Sequence, residues 1–150
     1  MKIRKARIAD LRDVHRIIND FAKKELMLPR SLSELYETLR DFVICENEGI
    51  VCGVCALHIM WEDLAEIRSL AVETEYQNKG IGKDLIKECL REAESLGIKK
   101  VFALTYNPEF FRKIGFEYVD KATLPQKIWG DCLKCPRFPE CDEHAMIKNL

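Results

Sequence analysis

Gly80 and Gly82 stand one residue apart in the run EYQNKGIGKDL, at the head of an apolar-striped segment. Glycine is a poor helix former, so its place at a helix start needs a reason. A helix N-terminus exposes unpaired N–H groups and the positive end of the helix dipole. Without side chains there, an anion such as a pyrophosphate can approach the main chain closely. Asn78, Lys79, Gly80, Ile81 and Gly82 would present the amides, and Lys79 and Lys83 would add positive charge. Two other phosphate motifs are excluded. A P-loop needs glycine where Gln77 stands and Ser or Thr where Asp84 stands. A dinucleotide fingerprint needs a third small residue where Leu85 stands. Taken alone, the glycine pair also fits a plain flexible turn.

The second cluster with chemical potential lies near the end of the chain. Cys132-x-x-Cys135, five residues, then Cys141-x-x-His144 matches the spacing of four zinc ligands. The preferred alternative is a tail packed by small apolar thiols, with no metal. Cys52-x-x-Cys55 falls within a strand-like run, where positions three apart face opposite sides, so one metal would not take both. His15 and His58 are isolated and read as structural.

The elements around these residues follow from periodicity. IRKARIAD reads as an edge strand ending at Asp10, which would cap a helix carrying Leu11, Val14, Ile17, Ile18 and Phe21. After Pro29, Ser31 and Glu34 form a capping-box pair ahead of a second short helix. FVICE and IVCGVCALHIM form a hairpin, and AEIRSLAV is a further strand. A helix spans Gly82–Leu96, with Gly97 at its C-terminal cap. VFALT is a buried strand. Asn107-Pro108 opens a helix that runs to Ile114, and FEYVD is a strand. The tail contributes a helix around Pro125–Cys132 and a strand near Ala145–Lys148. This order predicts an α/β fold with a mixed sheet and helices on both faces.

Bulk properties exclude several classes. The 150 residues suit one domain and carry 24 basic against 25 acidic groups. That balance gives no field to draw the chain onto nucleic acid or an anionic membrane. The longest apolar run, Ile50–Trp61, is too short to cross a bilayer. The charged N-terminus does not read as a signal peptide. The seven cysteines, with no disulfide rhythm, fit reduced thiols in a cytoplasmic protein.

LAVETEYQNKGIGKDLI resembles the acetyl-CoA-binding motif of the GNAT N-acetyltransferase superfamily, Gln/Arg-x-x-Gly-x-Gly/Ala after a strand ending in Leu-x-Val. Gln77, Gly80 and Gly82 fill the motif, and Leu70 and Val72 end the strand. Asn107 through FFRKIGF is similar to the superfamily's second cofactor element. The segments LPRSLSELYETLRDF, AEIRSLAV and LPQKIWGDCLKCPRFPECDEHAM are closest to the short stand-alone bacterial N-acetylglutamate synthases.

The resemblance implies a central, mixed and mostly antiparallel twisted sheet of six to seven strands. It covers residues 3–120, leaving 121–150 as a Cys/Pro-containing extension of one N-acetyltransferase domain. In the family the strand before the motif splays from its neighbour, often at a bulge. Pantetheine then pairs with Leu70, Ala71 and Val72 while the pyrophosphate rests on residues 78–83. Asn107, Phe110 and Phe111 would complete the acetyl-CoA site. The implied reaction is direct attack of the α-amine of L-glutamate on the thioester, the entry step of arginine biosynthesis.

That reaction sets further requirements. An α-amine is mostly protonated at neutral pH and must lose a proton before it attacks. Glu66, on the strand lining the acyl end, is the candidate base; its alternative is a surface ion pair. Strand alternation gives it the face of Arg68, Leu70 and Val72 unless a bulge shifts the register. A main-chain N–H near Val72 would serve the oxyanion. The family often places a tyrosine acid where Phe111 stands, which leaves Tyr106, water or unassisted thiolate departure. Glutamate's carboxylates call for arginine. Arg68 is the first candidate, with Arg30, Tyr36 and Arg40 on or beside the helix that covers the acceptor pocket. A homodimer is expected. Two other readings keep the glycine loop: an acetyltransferase for another amine (a different amino acid or a protein N-terminus), and a non-catalytic acetyl-CoA-binding regulator.

Overall fold

The computed structural model describes residues 1–124 and 143–150. Seven strands form one sheet: β1 (Lys2–Lys5), β2 (Phe42–Asn47), β3 (Ile50–Trp61), β4 (Leu64–Val72), β5 (Lys100–Thr105), β6 (Glu117–Tyr118) and β7 (His144–Asn149). Their order is β1-β2-β3-β4-β5-β7-β6. Every pairing is antiparallel except β4 with β5. The last strand thus enters between β5 and β6. The helix expected around Pro125–Cys132 lies outside the described residues.

Helices α1 (Leu11–Lys23) and α2 (Leu32–Glu37) cover one face, and α3 (Ile81–Ser95) and α4 (Pro108–Arg112) the other. On α1, Leu11, Val14, Ile17 and Ile18 are all buried against Phe42, Ile44 and Val54. Leu85, Ile86, Cys89 and Ala93 bury the inner side of α3 against the opposite face. Each buried Leu, Ile, Val or Phe among them contributes about 1.5–3 kcal/mol on leaving water. Ser31 accepts the Glu34 N–H at 3.1 Å and caps α2.

The first strand stops at Lys5, and Ile8–Asp10 is a 3-10 turn rather than strand. Asp10 does not cap α1. Its own backbone is already helical (φ −82°, ψ −20°), so its carboxylate cannot reach forward to the next free amides. It turns back, accepting the Arg7 N–H at 2.7 Å and both ends of the Arg4 guanidinium at 2.7 and 3.0 Å. Arg4 also reaches Glu46 at 3.1 Å, tying the edge strand to β2. The Arg4 hydrogen bond holds the Asp10 carboxyl below its ordinary value despite burial. A depressed carboxyl stabilises the fold above its unfolded pKa, and that stability fades as pH falls through the folded pKa. Asp10→Asn is expected to cost about 2 kcal/mol at neutral pH. It should also flatten the acid limb of the melting-temperature profile below about pH 4. Thermal denaturation across pH tests both; an unchanged acid limb contradicts the assignment.

Of the three register shifts in β2–β4, two change which of the candidate residues share a face. On β2/β3, Cys45 pairs with Gly53 while Glu46 pairs with Val51, so Cys52 is an extra residue. Cys52 and Cys55 therefore lie on the same side of the sheet, both against α3, contrary to simple alternation. Burial pushes the Cys52 thiol up to about 12. A hydrogen bond with Cys89, followed by burial, raises Cys55 well above the ordinary thiol range. Both are packing groups rather than nucleophiles.

Candidate functional site

The second bulge shapes the site. Val54 pairs with Ala71 and Ala56 with Arg68, so β4 spends one residue more than β3 between these points. Ser69 sits in that interval with φ +54°, a left-handed conformation uncommon for a residue with a side chain. The extra residue reverses the alternation. Leu70 and Val72 pack on the α3 face with Ile67, whereas Arg68 lies opposite Ala56 on the α1–α2 face, and Glu66 shares that face two residues earlier. Simple alternation would give Glu66, Arg68, Leu70 and Val72 one common face; the bulge, the exception set against that expectation, divides them.

At the same place β4 leaves β5. Their pairing runs only from Leu64↔Lys100 to Glu66↔Phe102, although both strands continue beyond it. The opening between them is a cavity of about 310 Å³. It is lined by Glu66, Arg68, Ser69 and Leu70 from β4 and by Ala103 to Asn107 after the divergence. Leu26, Met27, Leu28 and Arg30, from the connection between α1 and α2, close one side, and Phe111 closes another.

Glu66 is only 7% exposed, and its carboxylate accepts the Arg68 Nε–H at 2.7 Å. This is the pairing set against a base role in the sequence, yet it is not on a solvated surface; both side chains border the cavity. Arg30 lines this cavity and two adjoining ones, 3.6 Å from Glu34. Tyr106 and Asn107 also line the opening.

Not every candidate converges. Tyr36 is 42% exposed and lines none of the three cavities. Leu35 takes the inward position of α2, so the next side chain, about 100° around the helix, turns outward. Arg40 is exposed and also lines none of them; its carbonyl receives the Lys5 ammonium instead. Phe111 is 5% exposed and stacks edge-on with Phe116 at 5.1 Å, an apolar wall with no proton to give. Among the described residues no group of three or more possible ligands could hold a metal ion. Cys132, Cys135 and Cys141 lie outside the described residues, and His144 packs against the Tyr118 ring at 5.8 Å.

The sequence reading missed Leu26–Leu28, Ser69, Thr105 and Glu143, all of which line the cavity. The apolar triplet before Pro29 was a visible signal, because it interrupts an otherwise polar connection. Nothing in a serine marks a left-handed bulge.

The glycine loop fits a pyrophosphate on the geometry of this chain. Asn78 and Gly80 both have positive φ (63° and 84°), curling the main chain ahead of α3. Asp84 N–H bonds back to the Gly80 carbonyl at 3.0 Å, which leaves the amides of Ile81, Gly82 and Lys83 ahead of that bond. A Cβ at Gly82 would lie 3.3 Å from Phe110 Cζ and 3.9 Å from Val72 Cγ2, so the bare backbone is what keeps this corner open. Gln77 donates its side-chain amide to the Val72 carbonyl at 3.0 Å and pins the loop to the end of β4. Lys79 lies over the Tyr76 ring at 5.5 Å, and Lys83 is exposed. Asn107 caps α4 through Phe110 N–H at 3.4 Å and so sets the ring that faces Gly82.

A model of the acetyltransferase (GNAT) family matches residues 8–116. An uncharacterized N-acetyltransferase of Chlorobaculum tepidum is 43% identical over 148 residues, 99% of this chain and 96% of its own length. An amino-acid acetyltransferase of Mycobacterium tuberculosis is 32% identical over 132 residues, 86% of this chain and 75% of its own. Among solved structures, the N-acetylglutamate synthase of Neisseria gonorrhoeae complexed with coenzyme A and N-acetyl-glutamate gives a TM-score of 0.90 at 28% identity. That match covers 99% of this chain and 35% of the longer synthase. A Mycobacterium tuberculosis structure in complex with CoA and NLQ gives 0.85 at 28% identity, covering 100% of this chain and 99% of that one. The family match takes in the diverging strands, the glycine loop and α4 together, and this chain belongs to the GNAT acetyltransferase family.

Proposed function

We propose that this acetyltransferase transfers the acetyl group of acetyl-CoA to the α-amine of L-glutamate. The observation that carries the reading is that two arginines, Arg30 and Arg68, line one cavity at the strand opening together with buried Glu66 and with Glu143. A dicarboxylate amine needs two cationic partners and one proton acceptor, and planar guanidinium groups suit carboxylates. The amides of residues 78–83 hold the pyrophosphate of the co-substrate, and the main chain of Leu70–Val72 guides its pantetheine toward the cavity. Glu66 takes a proton from the ammonium group of the acceptor. Tyr106, on the same cavity, is the proton donor to the departing thiolate, a small contribution because a thiol of pKa about 8.5 leaves readily. The Neisseria gonorrhoeae synthase solved with coenzyme A and N-acetyl-glutamate, matched over 35% of its length, supports this choice of acceptor.

A thiol-release assay with acetyl-CoA across the proteinogenic amino acids tests the proposal. L-Glutamate should give the highest kcat/KM. Preference for another amine would replace the acceptor, and cofactor binding without release for any amine would favour a regulator. Arg68→Lys keeps the charge but loses the planar fork. It is expected to raise KM for L-glutamate about tenfold while KM for acetyl-CoA stays unchanged, read from initial rates.

A further inference from the structure

Asn19 on α1 faces the connection that carries Arg30. Its Nδ2 donates to the carbonyls of His15 at 2.8 Å and Arg30 at 2.9 Å, and its Oδ1 accepts the Arg30 N–H at 3.3 Å. The carboxamide thus pairs with both main-chain groups of residue 30, as a neighbouring strand would. The reverse orientation would set an oxygen against two carbonyls, so the network fixes which end is which. Residues 24–31 contain no helix or strand, and the stretch bends at Glu25, φ +59°. Asn19 anchors this connection to a helix whose inner face is fully packed. The anchored residue lines all three described cavities, and the next one, Ser31, caps α2.

We propose that Asn19 is a positioning residue for the acceptor: through the main chain of residue 30 it sets the Arg30 guanidinium against a substrate carboxylate. This rests on the reading of Arg30 as a carboxylate partner. A long side chain binds productively only if its starting point is fixed, and a misplacement of about 1 Å is enough to lose much of the effect.

The test compares Asn19→Asp, Arg30→Ala and the double variant, with L-glutamate and acetyl-CoA varied separately. Asp keeps the shape but turns an oxygen toward the His15 and Arg30 carbonyls. Asn19→Asp is expected to raise KM for L-glutamate about tenfold, with KM for acetyl-CoA within about twofold. On the Arg30→Ala background it should add no more than about a further twofold. Equal losses for both substrates, or effects that multiply in the double variant, would show a general structural role and overturn the proposal. If Arg30→Ala alone leaves KM for L-glutamate unchanged, the Arg30 reading fails and the proposal falls with it. If Arg30→Ala raises KM but Asn19→Asp does not, only the positioning role fails. Asn19→Ala, which introduces no charge, gives the same comparison should the Asp variant not fold.

Discussion

Gly82→Val is expected to weaken coenzyme A binding by about two to three orders of magnitude while leaving the fold intact. The effect is steric and local. A first carbon at position 82 would already meet Phe110 at 3.3 Å, and the branches of valine would reach further into the corner beside Val72. The ring and the new side chain would then occupy the approach to the amides of Ile81, Gly82 and Lys83. A hydrogen bond from an amide to a charged oxygen contributes about 1.5–3 kcal/mol, so losing two accounts for the expected drop. The fold should tolerate the change because Gly82 has no positive φ and sits in the first turn of a 15-residue helix with a well-buried inner face. Isothermal calorimetry with coenzyme A and a parallel thermal melt separate the two effects. Wild-type affinity in Gly82→Val would remove the glycine loop from the binding site altogether.

The features legible in the sequence were those whose cause is local. The glycine pair, the apolar stripe of α3 and the Ser31 cap each depend on a few adjacent residues, and the structure has them within a residue of the expected bounds. The order of helices and strands through residue 124 could be read for the same reason. What could not be read depends on partners far along the chain. The insertion of β7 between β5 and β6 joins residues 144–149 to residues 100–105. The bulges at Cys52 and Ser69, though each lies between strands adjacent in sequence, add one unpaired residue that neither side chain announces. That one missed residue at Ser69 decides the site. It sends Leu70 and Val72 toward α3 and leaves Glu66 and Arg68 on the side covered by the α1–α2 connection. Asp10 likewise looked like a cap in sequence because the competing Arg4 lies on a different element.

Glu66→Gln is expected to lower kcat by about 10²- to 10⁴-fold, the range spanned by a well-placed base. The amide keeps the shape of the carboxylate, and its oxygen can still accept the Arg68 Nε–H now held at 2.7 Å. What it loses is the capacity to take a proton. The competing explanation is that Glu66 serves only to aim Arg68. Those two roles leave different traces. If Glu66 merely orients the arginine, the substitution should raise KM for L-glutamate and spare kcat. If it is the base, kcat should fall with acetyl-CoA binding unchanged, and the limb of the wild-type kcat/KM profile that reports Glu66 should disappear. Alkaline pH then supplies the decisive comparison. As the free amine fraction rises, the variant no longer needs a base, so its rate should climb about tenfold per pH unit toward that of the wild type. A variant rate that stays flat with pH, or a kcat that is spared, would assign the proton to another group and leave Glu66 as the partner of Arg68.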